Sequence, residues 1–141
     1  LDVASILHDI GMFIRLGDHQ LHSQYIISNS EIFGLRKFEN NMIAQIAKYH
    51  RGSHFPQDDD QFLMLPRSDR MIILKLTAIL RIADALDRAH QQKLRHLVIS
   101  KQNDSLLISN KTDHNIVLER QALIEKANMF EYVFGYKVIL S

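Results

Sequence analysis

The chain has 141 residues, one domain's worth, which would bury roughly 70% of its unfolded surface, and its 46% hydrophobic and 23% charged residues are those of an ordinary soluble globular protein. With 17 basic and 16 acidic residues the net charge is +1, so composition demands neither a nucleic-acid nor a membrane partner. Cysteine is absent, which excludes disulfides and thiolate metal sites and fits a reducing cytoplasm, and no apolar run reaches the roughly 20 residues of a membrane span.

Ala4, Leu7, Ile10 and Ile14 recur at helical spacing and predict a first helix that ends near Arg15, where Gly17-Asp18 punctuates the chain. His8 and Asp9 lie on or beside that stripe. An imidazole and a carboxylate entering an apolar interior need a metal ion or a hydrogen-bond network. The chain opens at Leu1, already inside the helical pattern and with only Asp2 to cap it, so the expectation is a piece of a longer protein.

A short helix is predicted over 19–28, carrying His22, Tyr25 and Ile26 at i, i+3 and i+4, and a third over 38–51, where Met42, Ile43, Ile46, Ala47 and His50 keep the 3.6-residue period. Gly52-Ser53 closes it. Residues 52–67, with Pro56, Pro66 and the run Asp58-Asp59-Asp60, read as a surface loop whose aspartates are solvated rather than metal-binding. Ser68 can cap a long apolar helix over 69–90, which contains Arg81, Asp84, Asp87 and Arg88; Asp84 falls on its buried side, where a carboxylate needs a partner.

Beyond His90 the periodicity changes. Residues 94–100 and 105–109 read as strands joined through Gln102-Asn103-Asp104, residues 118–130 as a helix and 136–140 as a terminal strand. The expected fold is therefore mainly α: a helical bundle over 1–93, followed by a small β-β-α-β subdomain over 94–141.

His8, Asp9, His22, His50 and Asp84 lie on different predicted helices. A bundle can aim such side chains at one interior point, and imidazole plus carboxylate without thiolate suits Mn, Fe, Co, Ni or Mg. The pattern resembles the HD domain of metal-dependent phosphohydrolases, with His8-Asp9 as the doublet and Asp84 as the distant Asp; that family's first His is expected upstream of the doublet, where this chain has none, so it was either cut away or is missing in the parent protein. More narrowly, Ile6-Leu7-His8-Asp9-Ile10-Gly11, His22-Ser23-Gln24-Tyr25, Tyr49-His50-Arg51 and the stretch from Leu80 to His90 around Ala83-Asp84-Ala85-Leu86-Asp87-Arg88 are similar to the C-terminal part of the exopolyphosphatase / guanosine pentaphosphate phosphohydrolase (Ppx/GppA) family.

That resemblance implies an HD-like domain that binds polyphosphate or guanosine pentaphosphate and supports a homodimer, while an upstream actin-like module of the same chain carries the catalysis. The five glycines are scattered and form no phosphate-cradling loop. Arg15, Lys48, Arg51, Arg81 and Arg88 are the candidates for a polyanion path. Several readings stay open. His8, Asp9 and Asp84, assisted by His22 or His50, would hold a divalent ion, either in a binding domain or in an autonomous HD phosphohydrolase. Alternatively no ion is bound, the pair is structural, Asp84 is stabilised by a nearby Arg or His, and the domain is an interaction module.

Overall fold

A computed structural model describes residues 1–52, 56–110 and 114–141; Ser53, read from the sequence as part of a helix stop, lies outside them. The fold is mainly α with a small sheet, as expected. The chain divides into two compact units, Leu1–Leu80 and Arg81–Ser141.

The first unit opens with α1 (Asp2–Leu7), a 3-10 turn (Ile10–Phe13), α2 (His19–Ser28) and α3 (Lys37–Tyr49). The single helix expected up to Arg15 is thus broken at His8-Asp9. The cause is close packing at Gly11, whose N–H donates to Ser23 Oγ at 2.9 Å. A Cβ at Gly11 would sit 2.1 Å from the His19 carbonyl oxygen and 2.4 Å from the Ser23 nitrogen, so the chain can approach α2 only where a side chain is missing. Ile27, Ala44 and Ala47 form the buried core here, joined by Leu7, Ile32 and Ile43. The two alanines let α3 come near α2. The connection between them is pinned by Asn40, whose Nδ2 donates to the Ile27 and Ser30 carbonyls at 2.6 and 2.9 Å.

Residues 56–67 are more ordered than a loop. A 3-10 turn (Pro56–Asp58) and α4 (Asp60–Leu63) bury Pro56 and Phe62. Of the three aspartates, Asp58 and Asp60 are exposed. Asp59 is not freely solvated: it caps α4 by accepting from the Gln61 N–H at 2.9 Å and also accepts from Lys48 Nζ and from Tyr49 Oη at 2.5 Å. The long helix α5 runs over Arg67–Leu86. It starts before Ser68, because the Pro66 carbonyl takes the Asp69 and Arg70 N–H groups. Ser68 therefore lies inside the first turn and donates to Asp69 at 3.1 Å instead of capping.

The second unit holds a three-stranded sheet in the order β1 (Val98–Gln102), β2 (Ser105–Ser109), β3 (Lys137–Leu140). β1 and β2 form the expected hairpin, closed by Gln102↔Ser105 around Asn103-Asp104, and Asn103 takes the positive φ such a turn requires. Residues 94–97 stay outside the strand. β3 runs parallel to β2, which demands the crossover that the intervening helix supplies. That helix is two, α6 (Val117–Lys126) and α7 (Asn128–Phe134), with the break at Ala127. Ile82, Ala85, Ile108, Ala122, Leu123 and Leu140 make the core of this unit.

Candidate functional site

The first unit brings three histidines onto one carboxylate. His8 ends α1, His50 ends α3, and His19 is the first residue of α2, placed there by a left-handed Asp18 (φ 55°). Their Nε2 atoms lie 3.4, 3.3 and 2.9 Å from Asp9 carboxylate oxygens, in the order His8, His50, His19. His19 and His50 approach each other to 3.4 Å, Nε2 to Nε2. Both are only 1% exposed, while Asp9 keeps a quarter of its side chain open.

The far side of each ring decides what the near side can do. His8 Nδ1 lies 2.7 Å from the Ser5 carbonyl oxygen and His50 Nδ1 2.6 Å from that of Ala47. A carbonyl oxygen only accepts, so Nδ1 carries the proton in both rings, and Nε2 of the neutral ring offers a lone pair. Two lone pairs facing a carboxylate have no hydrogen between them. His19 differs: its Nδ1 lies 3.0 Å from the Leu16 carbonyl and 3.1 Å from Arg51 Nη1, which demand opposite roles of it. With Arg51 donating, Nε2–H donates to Asp9; with Nδ1–H given to Leu16, a third lone pair joins the cluster.

Protonated on both nitrogens, the same rings donate to Asp9 instead. Burial alone would raise the Asp9 carboxyl, but contact with His50 and the positive charge of His8, His50 and His19 hold it well below the usual carboxylate range. Burial pushes His50 below its ordinary value, against the opposing pull of Asp9 and the Ala47 carbonyl. The rings also touch: His8 and His50 meet edge to face at 4.9 Å between centroids.

His8, Asp9 and His50 each offer one ligand atom, and these lie within 4.8 Å of one another. Imidazoles whose outer nitrogen is tied to a backbone carbonyl are what a metal-binding histidine needs. The ends of α1 and α3 also point their negative poles at the same place. The residues present therefore fit a divalent cation.

His22 is half-exposed one turn beyond His19, so it is His19, which the sequence reading passed over, that reaches Asp9. Its signal was present: it stands three residues before His22, on the same helical face, right after the Gly17-Asp18 turn. Asp84 lies in the second unit and is ion-paired with Lys126. Arg81 is buried, so that desolvation lowers its guanidinium to about 10, and its Nη1 donates to Asn128 at 3.4 Å. Lys48 is paired with Asp59. Arg15 and Arg88 are exposed.

A sequence profile of the Ppx/GppA phosphatase, domain III, matches residues 1–131. The chain belongs to this family. A relative among characterised proteins is the guanosine-5'-triphosphate,3'-diphosphate pyrophosphatase of Pseudoalteromonas translucida (strain TAC 125), 37% identical over 51 residues. The match takes in 36% of the present chain and 10% of that protein's length. No helix among the described residues is long and apolar enough to cross a membrane.

Proposed function

We propose that this Ppx/GppA domain III is an HD-type binding domain of a phosphohydrolase, working in a reducing compartment such as the cytoplasm. It helps to hold inorganic polyphosphate or guanosine pentaphosphate, while an actin-like module of the same protein performs the cleavage. The observation that carries the reading is the convergence of His8, His19 and His50 on Asp9 with the outer nitrogens of His8 and His50 tied to carbonyls. His8, Asp9 and His50 would hold one divalent cation of the Mn, Fe, Co or Ni kind, with His19 beside them. Such an ion supplies charge stabilisation for a phosphoryl oxygen. Arg51, one bond away through His19, would bind and orient a phosphate oxygen at the rim. Ile6, Phe13 and Leu16 stand 77, 94 and 70% exposed; this is apolar surface that the upstream module or a second copy would cover.

The test uses the purified chain. Metal analysis should find one divalent ion per chain, lost in Asp9→Asn and in His50→Gln. The same preparation should release no phosphate from polyphosphate or guanosine pentaphosphate. Metal-free protein after loading with Mn²⁺ or Co²⁺ would overturn the metal assignment. Robust phosphate release, abolished by Asp9→Asn, would favour the second reading, an autonomous HD phosphohydrolase, which rests on the same cluster.

A further inference from the structure

We propose that the first unit carries a binding site for an organic cation, a guanidinium on a short apolar stem, in the cavity between the end of α2 and the start of α3. This cavity of about 660 Å³ is walled by the connection that follows Ser28 and by Lys37 and Asn40 of α3, a size that suits a small ligand.

The polar side chains of the wall are set as acceptors. Asn40 is only 6% exposed and gives its Nδ2 hydrogens to the Ile27 and Ser30 carbonyls, which fixes the amide and leaves Oδ1 an acceptor with no partner among the described residues. A buried oxygen of this kind costs stability until a donor meets it. Ser30 Oγ gives its one hydrogen to the Ile26 carbonyl at 2.6 Å, and Asn29 Nδ2 donates to that of Tyr25 at 2.8 Å. What these groups still offer is mostly lone pairs. Glu31 adds a carboxylate, and α2 brings its negative pole to the same wall. The positive pole of α3 is offset by Glu39, which takes the Arg36 N–H at 2.8 Å. Lys37 is the one cationic side chain of the lining.

The apolar part is built as well. The Leu35 N–H donates to the Ile32 carbonyl at 3.1 Å, and Gly34, at φ 86°, has the positive angle that the third position of a type II turn requires. Phe33 holds the second position, fully exposed, with Ile32 and Leu35 half-buried at the turn's ends. Several acceptors, a carboxylate and an open aromatic ring suit a planar, weakly hydrated cation that donates along its edge and stacks through its face, which an ammonium cannot do. A free guanidine compound and an arginine side chain of another protein present the same group. The site uses no residue of the histidine cluster and stands whether or not a metal is held there.

NMR titration of the isotope-labelled chain with N-acetyl-arginine amide tests this, with the neutral isostere N-acetyl-citrulline amide as the control. The arginine compound should give saturable shifts over residues 28–40, the Asn40 side-chain amide included, and the citrulline compound should bind at least about fivefold more weakly. Asn40 pins the connection it belongs to, so the variants are made at exposed positions. Glu31→Gln should weaken the arginine compound about threefold or more, and Lys37→Gln, which removes a competing positive charge, should tighten it by a similar factor. Ethylguanidinium binding as tightly as the arginine compound assigns the site to free guanidine compounds; binding several-fold weaker assigns it to a protein arginine. Shifts that do not saturate, that leave the Asn40 amide unmoved or that citrulline reproduces overturn the site, as does a Lys37→Gln change that weakens binding. None of these outcomes touches the metal assignment.

Discussion

His8 and His50 make the same bond, ring Nδ1–H to the carbonyl three residues back, and His19 is the member whose outer nitrogen has a choice of partner. Removing the Arg51 guanidinium leaves Leu16 as the remaining partner for His19 Nδ1 and takes a positive charge away. Arg51→Gln should therefore tighten Mn²⁺ or Co²⁺ binding several-fold, read by calorimetry; weaker binding would mean that Arg51 supports the cluster instead. Asp59 gives a second prediction. Burial pushes its carboxyl up, but hydrogen bonds from Lys48, Tyr49 and the Gln61 N–H bring it down to about 2. A depressed folded-state value stabilises above the unfolded value of about 3.9, and that stability is lost as pH falls through about 2. Asp59→Asn should thus lower the denaturation midpoint at pH 6 and leave it nearly unchanged at pH 2. Burial, together with the same contact, pushes the Tyr49 hydroxyl above its ordinary range. None of this was legible beforehand: Lys48 and Asp59 are 11 residues apart, across the unperiodic stretch.

At the scale of elements, hydrophobic period located most helices, and the errors share a cause. Period reports which face is apolar but not where the backbone must bend for a neighbour. The stripe from Ala4 to Ile14 continues through His8-Asp9 although the helix does not, because Gly11 is needed against α2. Gly11→Ala should destabilise the chain by about 1–3 kcal/mol or more, measured by urea unfolding, since both clashing atoms are backbone and cannot move aside. The same reasoning explains His19. A helix wheel groups it with His22, but only the turn at Asp18 decides which ring faces Asp9. The strand predicted from residue 94 begins at Val98, since Gln92 and His96 hold left-handed φ and cannot join a ladder.

For the molecule as a whole, each unit has its own core, and each should answer to its own substitutions. Ile27→Ala in the first and Leu123→Ala in the second both delete a fully buried side chain and should each cost about 2–5 kcal/mol. Hydrogen exchange checks the assignment: Ile27→Ala should lower protection in α2 and α3, Leu123→Ala in α6 and β2. The family was legible as a resemblance carried by the His-Asp doublet, the Tyr-His-Arg triplet and the Ala-Asp-Ala-Leu-Asp-Arg run in that order, and the profile over residues 1–131 agrees. The partner of Asp84 was not, because Lys126 approaches from a helix 42 residues away.

The bonds from His8 and His50 to the carbonyls of Ser5 and Ala47 are also how α1 and α3 finish. Ring direction is therefore indexed to the last turn of each helix. One residue inserted into that turn would swing its imidazole by about 100° around the axis and carry it off Asp9. Among descendants of this sequence, length changes should then spare the stretches just ahead of the two histidines.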